Sequence, residues 1–260
     1  MSSASFSAIV TQLTDGQTPP VWSLLVTVFG ELAQEDGAQI SGQMLRHISE
    51  LIGIKPEAMR VALHRLRKDG WTQNQRTGRT SSYSLTDWGR AQSAAASPRI
   101  YAPCATAGSA WLVLCDPARP TQQDETAGVW LNANTQITSQ LPQHPDRFAT
   151  LLDAGTPLPD WMKAGVCSPQ TREAAAAFHK TLTALQDRLS RHGTLAPLEQ
   201  ATLRILLVHT WRRIILKTPD LPDFVFPDNW RGPACRAQMV ALLALFPKPD
   251  LAALAHSIDA

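Results

Sequence analysis

No two cysteines of this 260-residue chain stand at CxxC spacing. The four present, Cys104, Cys115, Cys167 and Cys235, are far apart, and no histidine lies at ligand spacing from them. That argues against a zinc site and for reduced thiols in a cytoplasm, so neither metal nor cofactor is expected. The N-terminus lacks a charged region followed by an apolar core, and no signal peptide is expected. The longest apolar run, Val21 to Phe29, is broken by Ser23 and Thr27 and is far shorter than the roughly 20 residues of a membrane span. GxSxG, HExxH, Walker-type and GxGxxG patterns are missing. Asp146 and Asp153 have metal-ligand chemistry but read more simply as solvated loop residues, and His209, in an otherwise apolar helix, reads as structural. No residue is assigned to catalysis.

Net charge is also scarce, at +2, but it is unevenly spread. Residues 55 to 90 hold eight basic side chains, Lys55, Arg60, Arg65, Arg67, Lys68, Arg76, Arg79 and Arg90, against Glu57, Asp69 and Asp87. That segment carries +5, so the remainder carries −3. A basic patch on a mildly acidic body fits an anionic partner at one face. A hydrophobic content of 44% supports folded cores, and the length allows two or three domains.

Three segments are expected. In the first, residues 1–97, Thr18-Pro19-Pro20 reads as a capped helix start before VWSLLVTVFGELA. A second helix is predicted from Ser41 to Ile52, ended by Gly53, and a third from Lys55-Pro56-Glu57, with proline where its missing N–H does no harm. Trp71 to Arg76 and Arg79 to Leu85, about a Thr77-Gly78 turn, read as a β-hairpin, and Thr86 starts a further helix. This is the element order of a winged helix-turn-helix. Residues 98–168 form a small α/β domain, with WLVLCD, GVWLNA and RFATLLD as strands. Residues 169–260 form a helical domain opened by the stripe Phe178, Leu182, Leu185 and Leu189. The fold class is α+β.

On a helical wheel at about 100° per residue, Met59, Ala62, Leu63 and Leu66 share one arc of the third helix. Arg60, His64, Arg65, Arg67 and Lys68 fall outside it. A solvated face is one explanation, yet such faces mix signs, and no acidic residue occurs from Trp71 to Thr86. Double-stranded DNA is the anionic partner that suits a basic helix followed by a basic hairpin. The helix then enters the major groove, where arginine can bind guanine in bidentate fashion. Arg76, Arg79, Thr80 and Ser81 meet the phosphate backbone or the minor groove. Trp71 and Tyr83 either stack on bases or pack the hairpin onto the third helix.

The stretches GIKPEAMRVALHRLRKDGW, RTGRTSSYSLTDWGR and RIYAP, and later LLVHTWRRIILKTPDLPDFVFPDNWRGPACRA, resemble the PaaX-like family of phenylacetate-degradation repressors over about two thirds of the chain. The resemblance implies an N-terminal winged helix, a small central domain of ferredoxin-like type and a helical C-terminal domain. It also implies homodimers that repress a catabolic operon until an aryl-CoA thioester binds. Asp116 to Ala127 contains Pro117 and Pro120, which leaves little room for the helix that follows the family's first central strand, so a reduced sheet is expected. Arg212, Arg213 and Arg231 are candidates for the CoA phosphates; Arg212 and Arg213 fit ion pairs with a neighbouring helix equally well. Two function classes remain. One is a ligand-responsive repressor. The other is an enzyme on acyl-CoA or nucleic acid that uses the winged helix for targeting or assembly.

Overall fold

The computed structural model describes residues 3–78, 80–105, 107–118, 128–144, 146–189 and 195–259. It is a mixed helix-and-sheet protein with two small antiparallel sheets. No helix among the described residues is long and apolar enough to cross a membrane. The chain divides into two compact units. One takes Met1–Ser97, Thr181–Arg212 and Met239–Ala260; the other takes Pro98–Lys180 and Arg213–Gln238. The helical C-terminal segment thus contributes to both.

The first unit begins with α1 (Ser3–Leu13), which buries Phe6, Ile9, Val10 and Leu13 at helical spacing. Sequence reasoning assigned no element there. α2 (Val21–Leu32) follows and is buried on nearly every side. Its N-cap is Pro20, without a side-chain hydrogen bond, so Thr18 is not the capping residue expected. The reason is local: each proline pushes the residue before it toward extended backbone, and the chain turns helical only after Pro20.

The next elements are punctuated as their residues dictate. A short strand β1 (Ile40–Ser41) leads into α3 (Gly42–Ile52), where the Ser41 hydroxyl accepts the Met44 N–H at 3.1 Å. Gly53 closes α3 at φ +80°, a left-handed cap that glycine adopts without steric cost. Three residues on, Pro56 opens α4 (Pro56–Lys68). α4 buries Met59, Ala62, Leu63 and Leu66, the four positions the wheel placed inward, and packs against α2 and α3.

Strands β2 (Thr72–Thr77) and β3 (Thr80–Leu85) form the hairpin, and β1 adds to β3 in the order β1-β3-β2. The register pairs Thr77 with Thr80 and Arg76 with Ser81. A Thr77-Gly78 turn would instead have set Arg76 opposite Arg79. The observed register avoids facing like charges and puts Gly78, at φ +61°, at the start of the two-residue connection. α5 (Asp87–Tyr101) then begins from Thr86, whose hydroxyl accepts the Gly89 N–H and donates to the Gly70 carbonyl at 2.6 Å. A Cβ on Gly89 would lie 2.3 Å from the Trp71 carbonyl oxygen, so glycine is what lets α5 approach the hairpin base.

The C-terminal contribution to this unit comes from parts of α7 (Pro169–Leu189), α8 (Pro197–Ile215) and α9 (Gly232–Leu245), and from α10 (Leu251–Asp259). Phe178, Leu182 and Leu185 of the predicted stripe are buried. α8 is buried along most of its length, including Trp211.

The second unit holds the four-stranded sheet β5-β6-β4-β7, from β4 (Ala110–Cys115), β5 (Gly128–Asn132), β6 (Thr135–Thr138) and β7 (Arg147–Leu152). The three strands expected are present, and β6 is an additional one. It lies inside the sheet with Gln136, Ile137 and Thr138 buried. The Asp116–Ala127 stretch falls mostly outside the described residues. A short helix α6 (Asp160–Val166) packs on β5. Asp153 closes a turn by accepting the Gly155 N–H at 2.9 Å and the Thr156 hydroxyl at 3.0 Å. Among the described residues no cluster of His, Cys, Asp and Glu is arranged to hold a metal ion. All four cysteines are free. Burial raises the thiol pKa to about 11 at Cys167 and about 12 at Cys235, so both are neutral at physiological pH.

Candidate nucleic-acid interface

Arg60, His64, Arg65, Arg67 and Lys68 are all exposed on α4. They do not form one cluster. Arg60, His64 and Arg67 recur at spacings of four and three, so they share one flank of the helix. With Gln73 and Asn74 of β2 and Tyr83 of β3 they line an open concavity of about 160 Å³. Arg67 donates to the Asn74 side-chain oxygen at 3.4 Å, and Arg60 pairs with Glu57 at 2.8 Å. Arg65 lies on the other flank. Its guanidinium sits 5.3 Å from the Trp22 ring centre, and its Nε is 3.4 Å from Asp69.

Alternation along the hairpin sorts its side chains. Thr72, Asn74 and Arg76 share a face with Leu85, Tyr83 and Ser81, as their pairing requires. Thr72 and Leu85 are buried, so this is the face turned to the core near the hairpin base. Thr80 belongs to the opposite face. Arg76 is exposed near the tip, where its Nε donates to the Gly78 carbonyl at 3.3 Å. Arg79 lies outside the described residues.

Three tryptophans set the angle of the hairpin. Trp71 meets Trp22 of α2 edge-on at 6.1 Å and Trp88 of α5 at 5.1 Å. Trp71 therefore anchors the hairpin base, with its ring partners on α2 and α5. The site residues that sequence reasoning missed are Gln73 and Asn74 of β2, which line the concavity, and Glu57, which pairs with Arg60. The pairing of Asn74 with Tyr83 was the available signal, and it required the turn to be placed correctly.

The three arginines proposed for an effector have different surroundings. Arg212, half-buried in the first unit, donates to the Ser23 carbonyl at 3.3 Å and to the Thr27 hydroxyl at 3.4 Å, both on α2. Arg213 and Arg231 are exposed and belong to the second unit. His209 is buried with Nδ1 3.4 Å from the Thr27 hydroxyl. Arginines that sequence reasoning did not single out carry the interior polar contacts. Arg99 donates to the Ile215 and Thr218 carbonyls at 2.8 and 2.7 Å, and burial lowers its pKa. Arg236 pairs with both carboxylate oxygens of Asp223.

Comparison with known proteins adds the following. Residues 21–89 match the family described as PaaX-like protein, and residues 170–248 match the PaaX-like protein C-terminal domain. The chain is similar to the transcriptional repressor PaaX of Escherichia coli strain K12, with 28% identity over 241 residues, covering 82% of this chain and 76% of that protein. Among solved structures it is similar to the uncharacterized protein Rv0674 from Mycobacterium tuberculosis. The TM-score there is 0.46 at 16% identity, covering 91% of this chain and 96% of the other.

Proposed function

Because this chain belongs to the PaaX-like family, we propose that it is a DNA-binding transcriptional repressor in which α3, α4 and the β2–β3 hairpin act as a winged helix-turn-helix. One observation carries the reading: Arg60, His64 and Arg67 share a flank of α4 that opens onto the hairpin. A helix about 10–12 Å across fits the roughly 12 Å major groove, and this flank brings guanidinium groups to the depth of base edges. Arg76 at the hairpin tip, with Arg79, Thr80 and Ser81, then meets phosphates. The contacts these arginines make in the free protein are exposed pairs worth about 0–1 kcal/mol, so DNA can displace them.

The reader segment is residues 1–97. The central sheet, with a strand order found in ferredoxin-like domains, and the helical segment serve assembly and sensing. The protein binds as a two-fold dimer on a palindromic site, since symmetric half-sites need a symmetric reader. Titrating a palindromic fragment tests both points. Two chains per site are expected, and a monomer throughout would refute the dimer. Replacing Arg76 and Arg79 by Ala should weaken binding to every sequence alike. It should also flatten the logarithmic salt dependence by about 1–2 units, because each lost phosphate contact releases about 0.9 counterion fewer. An unchanged slope would remove both residues from the phosphate contacts.

The inducer follows from the family resemblance. An aryl-CoA thioester is expected to release the operator by about 1–3 kcal/mol of coupling, which requires that it prefer the DNA-free conformation. Arg213 and Arg231, being exposed, are the stronger candidates for its phosphates. Adding phenylacetyl-CoA, free CoA or phenylacetate to the operator complex decides the point. Release by the thioester alone is expected, and no response to any of the three would end the aryl-thioester reading.

A further inference from the structure

Val61 is out of place on a solvated helix. It is 70% exposed, the highest fraction of any large apolar side chain exposed among the described residues. It is also β-branched, which makes it a poor helix former at a position where no packing compensates. Single exposed apolar residues are common and need no explanation by themselves. The position of this one is informative. On the wheel of α4, Val61, His64 and Lys68 stand opposite the buried stripe of Met59, Ala62, Leu63 and Leu66. Val61 is thus near the outward pole of the helix, with Lys68 and Arg65 on either side of it and Glu57, paired with Arg60, one turn before it.

A groove-reading helix presents its outward pole to base edges. Positive charge around the pole selects a polyanion, and an apolar group at its centre selects an apolar patch on that polyanion. The thymine C5 methyl is the apolar group that base edges offer in the major groove. We propose that Val61 is a specificity-determining residue that packs on the 5-methyl group of a thymine in double-stranded DNA. This rests on the reading of α4 as the DNA-contacting helix.

The test uses the full-length protein and duplexes it selects from a random-sequence pool. Each thymine of the selected site is replaced in turn by uracil, which deletes the methyl and leaves the hydrogen-bonding edge intact. One position per half-site should weaken wild-type binding about fourfold, the burial value of about 0.8 kcal/mol per methyl-sized group at 1.4 kcal/mol per tenfold. In Val61→Ala the same replacement should change affinity less than twofold. Alanine favours the helix, so the variant keeps its fold, which an unchanged thermal midpoint would verify. Selection of DNA with no uracil-sensitive position, or an equal uracil penalty in Val61→Ala, would overturn the assignment while leaving the repressor reading standing. A variant that loses self-association with its uracil penalty intact would show that Val61 faces a second copy, which also overturns it. Failure to select any DNA would remove both readings together.

Discussion

Replacing Arg204 with Met is expected to lower the free energy of unfolding by about 3–5 kcal/mol, because it takes the guanidinium away from a carboxylate held in the core. Glu31 on α2 is 2% exposed, and its Oε2 accepts the Arg204 Nε–H at 2.5 Å. Arg204 also donates from Nη1 to the Phe246 carbonyl at 2.7 Å, so one guanidinium ties α2 to the chain beyond α9. Removing it leaves a buried charge and a carbonyl without that donor. Domain stability is about 5–15 kcal/mol, so the loss is a large share of the total. Urea denaturation would measure it. Glu31→Leu combined with Arg204→Met should recover most of the loss, since a packed apolar pair avoids the desolvation penalty of two charges. A single-variant cost below about 1 kcal/mol would show that water reaches the pair and that it has surface-pair strength.

Arg60→Ala combined with Arg67→Ala should cost about 2–6 kcal/mol on the selected site and far less on random DNA. Each bidentate arginine–guanine contact discriminates by about 1–3 kcal/mol. The two residues are seven positions apart on α4, roughly 10 Å along its axis, where effects usually add. Both already line the concavity, and their exposed contacts to Glu57, the Pro56 carbonyl and Asn74 have to be exchanged. Gel-shift titration of selected and random duplexes separates the outcomes. Equal losses on both would make these arginines phosphate contacts, and loss of preference at a single base pair would leave only one of them reading sequence.

Much of α4 was legible in advance because its determinants are local. Helical periodicity alone put Met59, Ala62, Leu63 and Leu66 inward, and the basic residues outward followed. Ser41, Gly53 and Pro56 mark their helix ends through backbone preferences that need no partner. α1 had the same kind of signal in Phe6, Ile9, Val10 and Leu13, and went unassigned although the spacing was available.

Other features depend on partners distant in sequence. Thr135–Thr138 is short and largely polar, yet its neighbours in the sheet bury it. The hairpin register differs from the expected turn because the pairing of Thr77 with Thr80 is set between the strands and not within either one. α8 offers Arg204, Arg212 and Arg213 to any reader of the sequence. That Arg204 meets a buried carboxylate 173 residues away and Arg212 the Ser23 carbonyl was decided by where α2 packs. By itself the sequence determined a basic outward face on a well-anchored helix, since periodicity and capping act within a few residues. Only the tertiary structure decided which arginines share a groove with the hairpin and which are spent holding the core, because charge pairing and burial depend on neighbours that the chain supplies from far away.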